Sequence, residues 1–157
     1  MPNWVEGNFR ARGKKKDLLK FILEGFEYAG LDESKTYAPT LNEYEDEMGV
    51  EFGGYMTLWV KDTHRNFVEG DSVWMYTSHL KKGEYQIILP YRAAWSINSE
   101  AIGNIAAKYN IDIKVNGYEA GMCFSQVIEA ERDGMVTEDS TDYNDWLWEC
   151  DMPMMGG

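Results

Sequence analysis

The sequence is poor in the residues that carry most metal and covalent chemistry. It holds two cysteines and two histidines in 157 residues. Cys123 and Cys150 are too few for a disulfide framework in a chain this long, which points to a reduced, intracellular setting. Two thiols also cannot hold an iron–sulfur cluster in the usual way. His64 and His79 stand 15 residues apart and fit no compact metal motif. Neither cysteine has a nearby histidine to serve as base, so a thiol nucleophile lacks its activator; Cys123 is expected as a small core residue. No run of about 18 apolar residues exists, so no membrane span is expected. The N-terminal stretch has no apolar core before its basic cluster, the wrong order for a signal peptide. A glycine-rich phosphate cradle is missing. The carboxylates Glu43, Glu45, Asp46 and Glu47 lack the central glycine and closing glutamate of a calcium loop. No catalytic residue, metal or cofactor is therefore assigned.

What the chain does have is aromatic side chains and unevenly placed charge. Its length suits one domain, and 44% hydrophobic content allows a packed core. Aromatics make up 14%, more than a core of this size encloses, so some are expected at a contact surface. The net charge is -12. The segment Asp32–Glu51 holds seven acids and one base, and Glu138–Asp151 holds six acids and no base. These two segments carry all the excess charge. They are either solvated acidic loops or an acidic patch aimed at a basic groove.

Periodicity divides the rest. Residues 4–12 alternate as a half-buried strand that Gly13 ends. Leu18, Ile22 and Phe26, with Leu19 and Leu23, predict an amphipathic helix over about Lys15–Tyr28, stopped by Gly30. The lysines at its start oppose the helix dipole, so they are not there for helix stability. Residues 31–54 lack periodicity and read as an acidic insertion, with a short helix around Asn42–Met48. Tyr55–Val60 and Ser72–Thr77 alternate as a strand pair whose outer face would carry Trp59, Trp74 and Tyr76; the span between them reads as a loop. Gln86–Tyr91 reads as a strand, with Pro90 marking a bulge or a strand end. Ser96 is a candidate cap for a second helix carrying Ile102, Ile105, Ala106 and Tyr109, closed by Asn110. Ile111–Val115 is a strand; Asn116–Gly117 is expected as a bulge before a turn at Glu119–Gly121. Met122–Glu131 and a short edge strand at Met135–Thr137 follow.

This order predicts an α+β fold, a ferredoxin-like split β-α-β sandwich with an antiparallel sheet and two helices on one face. The domain would span 1–137, with the insertion at about 31–54. Residues 138–157 form an acidic aromatic tail, either a docking peptide or a segment folded back on its own domain.

Several short motifs resemble one known group. Met1-Pro2-Asn3-Trp4, the strand ending at Gly13 and the helix after it are similar to the start of YubB-like proteins of phages and conjugative plasmids. Ala94-Trp95-Ser96, Ala107-Lys108-Tyr109 and Tyr118-Glu119-Ala120-Gly121-Met122-Cys123-Phe124 resemble the same family. The likeness covers about 1–26 and 85–137. Ile97-Asn98 replace two prolines that the family has after Trp-Ser, and Val5 replaces a cysteine. The resemblance implies a ferredoxin-like fold and a mobile-element origin, and it implies no catalytic activity.

Together these observations lead to the expectation of a non-enzymatic binding protein. Glu43, Glu45, Asp46, Glu47, Asp142, Tyr143, Asp145, Trp146, Trp148 and Glu149 would occupy a basic surface on a host nucleic-acid-handling protein, such as a defence nuclease of the CRISPR class, in the bacterial cytoplasm. An alternative is a nucleic-acid-binding module that uses Arg10, Arg12, Lys14, Lys15 and Lys16. A third is an enzyme whose site no motif marks.

Overall fold

The structure, a computed structural model, describes residues 2–29, 39–45, 47–53, 57–77, 79 and 82–157. In chain order the elements are β1 (Trp4–Lys14), α1 (Lys15–Glu24), β2 (Phe26–Tyr28), β3 (Thr40–Glu43), β4 (Glu47–Glu51), β5 (Thr57–Val60), β6 (Asn66–Glu69) and β7 (Ser72–Thr77). Then come β8 (Glu84–Ala94), α2 (Ser99–Tyr109), β9 (Asp112–Glu119), β10 (Phe124–Ala130), β11 (Val136–Asp142) and a single turn, α3 (Trp146–Glu149). All eleven described strands join one antiparallel sheet.

The expected ferredoxin-like sandwich is not formed. The fold is mostly β: eleven described strands lie in one antiparallel sheet, with three short helices. β1 pairs with β8 antiparallel over its whole length, from Trp4 opposite Ala94 to Lys14 opposite Glu84. What overturns the expectation is the chain between α1 and α2, which supplies seven described strands, β2 to β8, where a split β-α-β sandwich has two. β3 and β4 form a hairpin where the acidic insertion and its short helix were expected, and β6 lies in the span read as a loop.

β8 is where the sheet divides. One edge of β8 lies against β1 throughout. Its other edge meets β7 at Tyr85 and Gln86, then β6 at Tyr91 to Ala93. One wing continues through β6, β5 and β2, the other through β7, β4 and β3. Pro90 sits beside this change of partner, where less is asked of a strand's second edge. β5 and β7 thus lie in different wings, so Trp59 and Tyr76 do not share a strand pair.

The helices cover one face of the sheet. Leu18, Phe21 and Ile22 of α1 are buried, and Phe21 lies 5.8 Å from Phe9 of β1 and 5.3 Å from Tyr109 of α2. α1 stops at Gly25, short of Gly30, because Phe26–Tyr28 leave the helix to pair with β5. A β-carbon on Gly25 would stand 2.6 Å from the Phe21 ring. The first turn of α1 has no side-chain cap. The second helix is capped by Asn98, whose Oδ1 accepts from Ala101 N at 2.9 Å, and Asn110 closes it in the left-handed region. Asn116–Gly117 form no bulge: β9 keeps register with both β1 and β10 straight through them. Gly117 faces Gly7 of β1, and this glycine pair leaves room for Ile97 and Val5.

Candidate functional site

The described parts of the two acidic segments do not form one patch. The β3–β4 hairpin ends one branch of the sheet, and β11 ends the other. Seven strand-to-strand steps separate them, about 34 Å along the sheet at ~4.8 Å each. On the hairpin, Glu43 is ion-paired with Lys15, and Glu45 and Glu47 are exposed. Asp46 lies outside the described residues.

Asp142, Tyr143 and the start of the tail lie at one end of the sheet, the end marked by Trp4, Ala94, Glu119, Phe124 and Asp142. β11 runs on through Asp142, so residues 138–142 are sheet and not tail. Every residue of β11 is exposed. Beyond it the chain folds back. The Tyr143 hydroxyl lies 2.9 Å from Ser125 Oγ, and its ring meets Trp146 edge-on at 5.5 Å. Trp146 is 9% exposed, and its Nε1 donates to Pro153 O at 2.9 Å. Glu149 Oε2 accepts from Asn144 N and Asp145 N, holding the start of α3. Gly156 N donates to Glu6 Oε2, and Gly157 N to Trp4 O. These last contacts carry the tail across the face opposite the helices.

Folding back displays other side chains. Trp148 is 88% exposed and Leu147 is 75% exposed, both on α3 between the anchor Trp146 and Glu149. Met122, in the turn before β10, is also largely exposed at the same end. Asp145 and Glu149 flank them in the chain, and Glu138, Asp139 and Asp142 of β11 and Asp151 beyond α3 are exposed as well. Of the expected anchors, then, Trp146 and Tyr143 hold the surface together and Trp148 is offered outward. Leu147 and Met122 are exposed at this end too, and neither was among the expected contact residues. The edge strand runs past the expected Met135–Thr137 because Val136–Asp142 lacks apolar alternation, both its faces meeting solvent.

The turn that carries the family-like motif is built from inside. Glu119 is fully buried, and its two carboxylate oxygens accept from Gly121 N at 2.8 Å and Met122 N at 2.5 Å. Cys123 is not on the strand but in this turn, at φ 57, with Sγ donating to Ala120 O. These motif residues therefore scaffold the display end.

The other end of the open face is a groove of about 800 Å³, lined in part by Arg10, Gln86, Ile88, Lys114, Arg132 and Met135. Its cations are largely spent on acids. Arg12 Nη2 lies 3.2 Å and Arg132 Nη2 2.7 Å from Asp112 Oδ2. Arg132 Nη1 also donates to Glu84 at 3.0 Å, and Lys114 pairs with Glu129. The Arg132 guanidinium, more than any other neighbour, holds the Asp112 carboxyl down to about 2; burial opposes this and Arg12 adds to it. Arg10 donates to Asn116 Oδ1 at 2.7 Å. Lys14 and Lys16 are exposed at the start of α1. Of the expected basic cluster, Arg12 and Lys15 are ion-paired, Arg10 bonds to β9, and Lys14 and Lys16 remain exposed.

His64 and His79 are exposed, and no group of three or more metal-ligating side chains stands together among the described residues. Among the same residues, no helix is long and apolar enough to cross a membrane. Neither family models, nor curated proteins, nor solved structures gave a match to this chain.

Proposed function

We propose that the chain is a non-enzymatic binding protein whose C-terminal surface occupies a basic surface of another protein. One observation carries this reading: Leu147 and Trp148 stand in solvent on a single turn that also carries Asp145 and Glu149, and the exposed acidic strand β11 leads into that turn. Large apolar side chains fixed in water cost stability and are repaid on contact with a partner. Tryptophan is the side chain most enriched at binding hot spots, and surrounding charge sets partner choice and encounter rate. A strongly acidic surface repels nucleic acid and attracts the proteins that bind it. The partner class that fits is a nucleic-acid-handling protein. The resemblance to phage and plasmid proteins makes a host enzyme, such as a defence nuclease in the bacterial cytoplasm, the concrete candidate. Binding there would exclude nucleic acid by occupation alone.

The test is affinity capture of the full chain from nuclease-treated bacterial lysate, beside a Leu147→Ser/Trp148→Ser variant. The expected result is a basic nucleic-acid-handling protein, identified by mass spectrometry, retained by the parent and lost by the variant. Truncating a hot-spot tryptophan should weaken binding at least about thirtyfold. Recovery of no such protein, or its equal retention by the variant, overturns the reading.

A further inference from the structure

We propose that the outer edge of β11 accepts an extended, lysine- and arginine-rich segment of the partner as a further strand of the sheet. This rests on the reading above and names the chemistry of what is bound. Two backbone bonds flank the β10–β11 ladder: Glu131 N to Met135 O, and Tyr143 N to Cys123 O, each 2.8 Å. Both pairs belong to the register that matches Phe124 with Asp142 and Ala130 with Val136. Bonding pairs alternate along an antiparallel ladder. The odd-numbered residues of β11 therefore bond inward to β10. Val136, Glu138, Ser140 and Asp142 direct their N–H and C=O groups outward, where no strand pairs with them among the described residues.

This edge lacks the usual protection. It is seven residues long, keeps unbroken register, and carries no proline and no lysine. Its only guard is acid, and acid is selective. Val136 packs against Gly103 of α2, and Glu138 accepts from Gln126 Nε2, so the even-numbered side chains stand on the helix side. Asp139 follows Thr137 on the groove side. Carboxylates thus flank the edge on both faces. A second copy of β11 would set acids against acids and be repelled, whereas a strand with cations on both faces finds a partner on each. Main-chain bonds supply the attachment and carboxylates supply the choice.

The experiment uses the isotopically labelled full chain and a nine-residue acetylated, amidated peptide of lysine, arginine and threonine. Two further peptides are N-methylated at alternate residues, one in each phase. On saturation, amide exchange at Glu138 and Ser140 should slow at least about tenfold, the scale of one net hydrogen bond. One methylation phase should weaken binding at least about tenfold and the other leave it intact. Ser140→Pro should do the same without unfolding the chain, because that N–H is not in the β10 ladder. Unchanged exchange, or indifference to both methylation phases, reduces the contact to plain charge attraction and overturns the proposal. So does a neutral-pH dimer in which those same amides are protected. Capture of the host protein that survives Ser140→Pro sinks strand addition and leaves the binding function standing. Strand addition by the peptide with no nucleic-acid-handling protein captured does the reverse.

Discussion

Asp112 shows how a single residue redistributes charge that composition only totals. The Arg10–Lys16 run looks like a cationic patch, yet Arg12 shares Asp112 with Arg132, which comes from 120 positions further along. No sequence window can contain that pairing. Asp112 is held at about 2 in the folded chain, below its ordinary 3.8. A depressed carboxylate stabilises the fold above its unfolded value, and that contribution is lost as pH falls through the folded one. The window is therefore about pH 4 down to pH 2, and solvent screening limits the contribution to about 1 kcal/mol. Asp112→Asn should lower neutral-pH stability by about that much and flatten the acid limb, as read by urea denaturation across that window. The two tail tryptophans should separate in the same assay. Trp146→Ala removes a buried ring and its bond to Pro153, costing about 2 kcal/mol. Trp148→Ala should change stability by less than about 0.5 kcal/mol, because the side chain stands almost wholly in solvent.

Elements were more legible than their pairing. Period two in residues 4–12 and the i, i+3, i+4, i+7 set from Ile102 to Tyr109 each produced the element expected, since half-buried strands and amphipathic helices write their exposure directly into polarity. β6 was missed because Asn66–Glu69 is only four residues and its buried positions are Asn66 and Val68. The short helix near Asn42–Met48 was read in place of the β3–β4 hairpin because acids there mask a weak alternation. What pairs with what is set by contacts far apart in the chain, and so the ferredoxin-like topology, inferred from order alone, failed. The glycine pair between β1 and β9 is a sharp test at this scale. A β-carbon on Gly7 would fall 1.8 Å from Asn116 O, and one on Gly117 2.4 Å from Val5 Cγ1. Gly7→Ala should therefore push the two central strands apart and cost about 3 kcal/mol, measured by thermal or chemical unfolding.

For the molecule as a whole, the layout of charge decides which partners are reachable. Acid stands at both extremes of the sheet, and Arg12, Arg92, Lys114 and Arg132 between them are ion-paired. A low-salt gel shift with single- or double-stranded DNA should show no complex, while capture of a basic protein should weaken steeply between about 0.05 and 0.5 M salt as screening shortens the reach of the acids. The placement of β1 has a different consequence, in time. It leaves the ribosome well before its two neighbours, β8 and β9, whose last residues are Ala94 and Glu119. At ~5–20 residues per second, the nascent chain waits several seconds with its central strand unpaired. Such long sequence separations also slow the closing step itself. A chain released at residue 110 should therefore stay protease-sensitive through Phe9, and one released after residue 142 should not. The molecule is completed from its middle, by strands made late.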